Sequence, residues 1–184
     1  MSQTDLLEAA GLSAERARAI VAEATDGADD GELYLEYLQS EGLSWDNGRL
    51  KGASFNTDQG FGLRSIAGEA AGYAHSGEIS EAALKRAASA VIMAKSGHAA
   101  TVSTAPRRTN TKLYTDADPI AAPVFGDKVE LLQEIDAYCR ALDPSVVQVS
   151  CTVSASQKHI AILRADGQRY DDCLLYTSPS PRDA

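Results

Sequence analysis

Histidine and cysteine side chains can bind zinc, and cysteine can also act as a nucleophile; this chain holds three of each. His75, His98 and His159 lie far apart, and none has a second histidine three to five residues away. Cys139 and Cys151 lack the C-x-x-C spacing of zinc and redox motifs. We expect both cysteines to be small core residues, Cys139 on a helix and Cys151 on a strand.

Glycines cluster between residues 58 and 77. Gly60 and Gly62 match the first two glycines of a dinucleotide-binding G-x-G-x-x-G loop, but Ser65 stands where the third belongs and no helical pattern follows directly. The spacing instead predicts short strands with tight turns and close backbone contacts. Neither a G-x-S-x-G elbow nor a P-loop occurs in the sequence.

Two further side chains could have either a binding role or a structural role. Arg64, in the glycine-rich strands, could hold a substrate carboxylate or form a structural ion pair. Trp45, beside the turn at residues 46–48, could stack on a ligand or cover the sheet as a hairpin residue. The structural role is the more common one for both residue types.

Three amphipathic helices are predicted, near residues 13–25, 80–96 and 127–142. Ser13 and Ser80 are the expected N-caps of the first two, and Ile79 is placed to pack on the helix that follows it. The third helix carries apolar residues that we expect on one buried face: Leu131, Leu132, Ile135, Tyr138, Cys139 and Leu142.

Alternating patterns predict strands between these helices. The pair Asn47-Gly48 is typical of a type I′ turn, so residues 33–45 and 49–56 should pair as a hairpin. Residues 147–153 predict another strand, and Ile160 and Ile162 a further one. Residues 98–125 lack a period and indicate a long connection. The predicted fold class is α+β, with an antiparallel β-sheet flanked by about three helices.

The charge and hydrophobicity of the sequence argue against two classes of partner, nucleic acids and membranes. The formal net charge is -9, whereas nucleic-acid binding needs a basic surface, so no nucleic-acid partner is expected. Apolar runs are far shorter than the ~20 residues that span a bilayer, and residues 1–5 do not begin a signal peptide. We therefore expect no membrane partner and a cytoplasmic location.

Residues 173–184 look foreign to the rest of the chain. The run C-L-L-Y-T-S-P-S-P-R-D-A reads like a translated sequencing-adapter scar, although a natural Ser/Pro-rich tail is the alternative. We expect this segment to pack on nothing, since Pro179 and Pro181 lack the amide donor that a sheet ladder uses. Residues 1–172 are then the authentic domain.

Residues 58–74 follow the pattern D-Q-G-x-G-x-R-x-I-x-G-x-x-x-G-[FY]-A. This run resembles the N-terminal domain of the TldD/PmbA family of metalloproteases, and its details resemble the TldD branch. Residues 29–35, 127–132 and 141–149 are similar to three further segments of that family. The resemblance covers nearly all of residues 12–172, which it identifies as a TldD/PmbA N-terminal domain that stops before the metal-binding C-terminal domain.

The resemblance implies metal-dependent proteolysis of unfolded peptides by a heterodimer of TldD with a TldE/PmbA-type subunit. The implied metal, zinc or another divalent ion, is held by an H-E-x-x-x-H motif and a distal cysteine in the C-terminal domain of TldD. This sequence contains no His-Glu pair. We therefore expect no catalytic, cofactor or metal residues in this chain, and no activity from it alone.

Two alternatives remain: a non-catalytic TldE/PmbA-like subunit that binds peptide or partner, and an independent scaffold domain. In the peptidase hypothesis, Gly60, Gly62 and Arg64 are the candidate substrate-binding residues. Glycines let another backbone approach a sheet closely, and an extended peptide can add to a sheet edge. A purely structural role in sheet packing is the alternative for both glycines.

Overall fold

A computed structural model describes residues 5–95, Gly97 and residues 118–183, the side chains of residues 177–183 excepted. The helices are α1 (Leu6–Ala9), α2 (Ala14–Ala24), α3 (Glu81–Ala94) and α4 (Phe125–Leu142). The strands are β1 (Asp30–Asp46), β2 (Arg49–Ala67), β3 (Ala70–Ser76), β4 (Val149–Arg164) and β5 (Arg169–Asp183). The three predicted helices and the predicted α+β class are confirmed, and α1 is a short addition.

The five strands form one antiparallel sheet in the order β3-β2-β1-β4-β5. The predicted hairpin joins β1 to β2, and Asn47 and Gly48 have the positive φ angles, 48° and 80°, that a type I′ turn needs. In the next pairing, Gly62 lies opposite His75 and Arg64 opposite Tyr73.

The chain divides into two compact units, and the first contains residues 1–37, 58–113 and 159–173. Leu33 and Leu35 alternate with polar residues along β1, so their fully buried side chains share one face of the strand. They belong to a core that also takes apolar residues from α1, α2, α3, β2 and β4. Ser13 and Ser80 accept hydrogen bonds from backbone amides of α2 and α3, which confirms both predicted caps.

The C-terminal end of α3 is tied to the segment after α2. The ammonium group of Lys95 donates a 2.5 Å hydrogen bond to the carbonyl oxygen of Asp26. Lys95 is only 6% exposed, and burial lowers the pKa of its ammonium group. This contact satisfies a backbone carbonyl at the point where the chain leaves α2.

The second unit contains residues 38–57, 114–158 and 174–184. Its core groups the buried side chains of Leu43, Trp45, Leu132 and Cys151. Lys128 is buried on α4, where its ammonium group pairs with the Glu41 carboxylate and donates to a backbone carbonyl. A paired and hydrogen-bonded ammonium group is the form in which a buried lysine is tolerated.

The apolar face predicted for α4 is only partly correct. Leu132 is fully buried and Ile135 packs beside it, but Leu131, Tyr138 and Leu142 are exposed. The buried positions of α4 are Lys128, Leu132 and Asp136, a narrow i, i+4, i+8 stripe. The buried stripe is narrower than the predicted apolar face, and two of its three positions, Lys128 and Asp136, are charged.

The prediction of short strands is wrong at two places. Strand β2 runs unbroken from Arg49 through the glycine-rich stretch to Ala67, and β4 is one strand from Val149 to Arg164. Glycine weakens an isolated strand, but β2 lies between β1 and β3 in the sheet, and its pairing with β3 runs from Phe61 to Ala67 across Gly62. Gly68 alone, with a φ of 59°, marks a turn in this stretch before β3.

The expectation that residues 173–184 pack on nothing is also wrong. Strand β5 extends to Asp183, Cys173 is buried, and Leu174 and Leu175 are half-buried. Proline is compatible with an edge strand, because one side of such a strand needs no amide donors, and β5 lies at the end of the strand order. The foreign origin of this segment stays a prediction. Of the predicted connection at 98–125, residues 98–117 lie outside the described residues.

Candidate functional site

Strand β2 places the three candidate substrate-binding residues on one face of the sheet. Gly60, Gly62 and Arg64 alternate with Phe61 and Leu63, which are buried in the core of the first unit. The face that carries the candidates is therefore turned away from that core. The alternation of β2 decides this arrangement, since successive side chains point to opposite faces.

Gly60 and Gly62 line an open pocket of about 290 Å³ in the first unit. The other walls come from β1, the start of the glycine-rich run, β3 and the residues after it: Tyr34, Glu36, Asp58, Gln59, Phe61, Tyr73, His75, Ser76 and Gly77. Arg64 is not among the lining residues. The structure thus brings two of the three candidates together and leaves the third outside the pocket.

Both glycines also meet tight packing within the chain. A Cβ atom at Gly60 would lie 2.8 Å from the Ser76 carbonyl oxygen, and one at Gly62 would lie 2.9 Å from the Tyr73 hydroxyl oxygen. The Tyr73 ring covers Gly62 and stacks on the His75 ring, with centroids 5.7 Å apart and planes inclined by 28°. The structural role anticipated for both positions therefore has a concrete basis, and their role in substrate binding stays a prediction.

The β1 wall of the pocket carries a hydrogen-bonded pair. The Tyr34 hydroxyl donates to a Glu36 carboxylate oxygen at 2.6 Å. Burial, helped by the Glu36 charge, raises the pKa of the Tyr34 hydroxyl above its ordinary value. Tyr34 therefore stays a neutral donor, and the contact holds the Glu36 carboxylate in one orientation on this wall.

Arg64 belongs to a cluster of charges that joins three strands. Its guanidinium group lies 3.5 Å from a Glu32 carboxylate oxygen and 4.0 Å from one of Asp30. Arg164 of β4 contacts the same two carboxylates, at 2.6 Å for Asp30 and 3.5 Å for Glu32. This geometry supports the ion-pair alternative for Arg64. Its predicted contact with substrate remains untested.

The sequence did not single out Tyr34, Glu36, Asp58, Tyr73 or His75 as one group. Tyr34 and Glu36, like Tyr73 and His75, are two residues apart on a strand, so each pair shares a face of the sheet. The register of β2 with β3 was the missing signal, since it sets His75 opposite Gly62. The turn that the sequence predicts, at residues 47–48, fixes only the register of β1 with β2, the two strands that it joins.

Trp45 lies in the core of the second unit and is 6% exposed, which supports its interpretation as a hairpin residue rather than a ligand platform. Within the described ranges, no three His, Cys, Asp or Glu side chains come close enough together to hold a metal ion. His98 lies outside those ranges. The residues seen here therefore do not fit a metal centre, and no chemical step is assigned to a metal at this pocket.

No helix in the described part of the chain is long and apolar enough to cross a membrane.

Two family models match the chain. The model described as PmbA/TldA metallopeptidase domain 1 matches residues 31–94, and the PmbA/TldA metallopeptidase central domain matches residues 118–179. The first match contains every lining residue of the pocket. The chain is also 30% identical over 148 residues to a metalloprotease TldD homolog of Buchnera aphidicola from Acyrthosiphon pisum, and 30% identical over 142 residues to one of Haemophilus influenzae. These alignments cover 78% and 76% of the chain but 30% of each relative.

Solved structures share the fold at lower identity. A Bacteroides thetaiotaomicron protein, described as a proposed modulator of DNA gyrase, superposes with a TM-score of 0.69 at 13% identity, over 97% of this chain and 41% of its own. TldE from Thermococcus kodakarensis superposes with a TM-score of 0.61 at 17% identity, over 91% of this chain and 38% of its own. The matches across both halves of the sequence, together with the antiparallel α+β fold, place this chain in the PmbA/TldD metallopeptidase family.

Proposed function

We propose that this chain is the N-terminal part of a TldD-like, metal-dependent peptidase that degrades unfolded peptides. The observation that carries the proposal is the 30% identity, across 78% of the chain, with a metalloprotease TldD homolog. The chain spans 30% of the length of that relative, so the catalytic step is assigned to the complete protein and not to these residues.

The proposed metal, zinc or another divalent ion, is held by residues outside the described part of the chain. There it would supply a Lewis acid and an activated water molecule for peptide-bond hydrolysis. The described residues serve to bind and orient the peptide.

Strand β3 offers the proposed peptide a place to bind. It is the last strand in the order of the sheet, so only β2 pairs with it among the described strands. An extended peptide along Ala70–Ser76 could form main-chain hydrogen bonds that depend little on its sequence. Such a peptide would run past Tyr73, His75 and the pocket. This mode favours unfolded substrates, because a folded chain seldom presents a free extended backbone.

A TldE/PmbA-type partner subunit and a cytoplasmic location complete the proposal. The partner is named from the resemblance to the TldD/PmbA family, which implies a heterodimer, and the fold shared with a TldE chain is the structural observation beside it. The same likeness favours one alternative, a non-catalytic TldE/PmbA-like subunit that binds peptide or partner without metal. The two functions differ in whether the complete protein carries H-E-x-x-x-H.

The experiment expresses the complete protein of which this chain is proposed to be the N-terminal part, together with a TldE-type subunit, and assays the product. The proposal expects cleavage of unfolded peptides that a chelator abolishes and added metal restores. A matched product with the histidines of any H-E-x-x-x-H changed to alanine serves as the control. Cleavage that ignores the chelator, or a folded, metal-loaded heterodimer without cleavage, would favour the binding alternative.

A further inference from the structure

Helix α4 carries an apolar row that the second unit leaves uncovered. Leu131, Tyr138 and Leu142 are 42%, 67% and 65% exposed, and Ile135 among them is half-buried. Their successive spacing of four, three and four residues puts these side chains on one stripe of the helix, which we term the α4 seam. Such alternation is the a/d repeat through which two helices pack on each other. Contiguous exposed apolar surface of this kind marks an interaction site.

An acidic row borders the α4 seam. Asp127, Glu130 and Glu134 are exposed, and their carboxylates form no ion pair within the described part of the chain. The lysine and the arginine of α4 pair with Glu41 and Asp136 instead. Since an α-helix turns by about 100° per residue, the acidic row and the buried i, i+4, i+8 stripe of α4 lie on opposite sides of the seam. The seam therefore has the protein core along one side and unpaired negative charge along the other.

We propose that the α4 seam docks a helix of a partner protein, one that carries an apolar a/d row flanked by lysine or arginine. The apolar residues of that helix fill the spaces between the seam side chains, and its basic residues meet the acidic row. The seam from Leu131 to Leu142 spans about 17 Å at 1.5 Å per residue, so it contacts about three turns of the partner helix. A contact of this length belongs with small, transient interfaces.

The charge pattern argues against a second copy of this chain as the occupant. In an antiparallel pair of α4 helices, the acidic row of one copy lies against the acidic row of the other. In a parallel pair, that row lies against the flank by which α4 packs on its own core, and this flank is not free. The net charge of -9 adds repulsion between copies. A partner helix with basic flanks meets none of these obstacles.

The test titrates the 184-residue chain into three fluorescent, amidated peptides of three heptads each and follows their anisotropy at low ionic strength. The first peptide has leucine at positions a and d and lysine at e and g. The second has glutamate in place of the lysines, and the third has serine in place of the leucines. We expect saturable binding of the first peptide and at least about fivefold weaker binding of the other two. Equal binding of the first peptide and either of the others would overturn the inference.

Single variants assign the binding to α4. Leu131→Ser and Tyr138→Ser each remove side-chain surface that is already exposed, so both should fold, which circular dichroism checks. Each should weaken binding of the first peptide at least about fivefold, whereas Met93→Ser, 72% exposed on α3, should not. Glu134→Gln should weaken it about twofold, and Glu23→Gln, the control for net charge on α2, should not. Equal losses in the seam variants and Met93→Ser would show that the peptide binds elsewhere.

Two further measurements examine the other possible occupants of the seam. Sedimentation velocity should show a monomer; a concentration-dependent dimer that Leu131→Ser abolishes would replace the partner helix with a second copy. The complete protein should bind the first peptide as tightly as the 184-residue chain does. Loss of that binding would mean that the remaining part of the protein covers the seam, and it would overturn the proposal. Neither measurement involves catalysis, so this inference and the peptidase proposal can fail separately.

Discussion

The contact of β3 with α3 predicts that Gly72→Ala destabilises the first unit. A Cβ atom at Gly72 would lie 2.6 Å from the carbonyl oxygen of Val91 and 3.1 Å from its Cα atom. The first distance is about 0.8 Å short of an ordinary 3.4 Å van der Waals contact. Both neighbours are backbone atoms of a helix, so no side-chain rotation relieves the overlap.

The helix itself must therefore move. Val91 is fully buried, and its carbonyl oxygen accepts the hydrogen bond of the Lys95 amide at 3.2 Å, so a shift of α3 disturbs core packing and this bond together. Overpacking of this kind costs about 1–3 kcal/mol. Replacing a strand glycine with alanine returns roughly 0.5 kcal/mol. We expect a net loss of about 1.5 kcal/mol in the free energy of unfolding and a fall of roughly 3–6 °C in Tm.

Urea unfolding followed by circular dichroism measures this effect. Gly77→Ala is the matched control, because the nearest atom to its Cβ is the Gln59 carbonyl oxygen at an ordinary 3.6 Å. Its free energy of unfolding should stay within about 0.5 kcal/mol of the parent. Equal urea midpoints for the two variants would refute the packing argument.

Three more outcomes follow from single contacts. Ser65→Ala should raise the urea midpoint by the equivalent of about 1 kcal/mol, since its fully buried hydroxyl has no hydrogen-bond partner among the described residues; a lower midpoint would mean that a partner exists. Asp5→Asn keeps the cap acceptor of α1 but removes the charge that the Arg169 guanidinium contacts at 2.9 Å, a contact that lowers the pKa of Asp5 below 3.8. Its stabilisation is present above about pH 4 and is lost as the pH falls through the folded-state pKa, so parent and variant should differ at pH 7 and converge near pH 2; a difference independent of pH would contradict this. The dialysed chain should hold well under one zinc ion, because its described side chains form no ligand group, and metal analysis at one zinc per chain would show otherwise.

Local signals in the sequence were sufficient for much of the fold. Ser13 and Ser80 cap their helices as predicted, and Asn47-Gly48 closes the predicted hairpin, because each depends on residues next to one another in the chain. The unbroken course of β2 through its glycines depends on partner strands distant in sequence. No local pattern contains that information.

The set of residues that line the pocket could not be predicted from the sequence for the same reason. Gly60 and Gly62 could be selected from their spacing, but Glu36 and His75 join them only through strand pairing. Arg64 fits the same i, i+2, i+4 face as the glycines, yet carboxylates on β1 hold it outside the pocket lining. Which residues share a face follows from alternation, whereas which faces share a cavity follows from register.

The buried ammonium group of Lys95 can serve as a chemical probe of local unfolding in the first unit. A lowered pKa increases the fraction of neutral, nucleophilic amine, while 6% exposure and the hydrogen bond to Asp26 keep acylating reagents away from it. The rate of acylation at this single lysine is therefore set by how often the end of α3 separates from the segment after α2. Quantified by mass spectrometry against surface lysines, that rate measures local opening of the unit without any introduced probe.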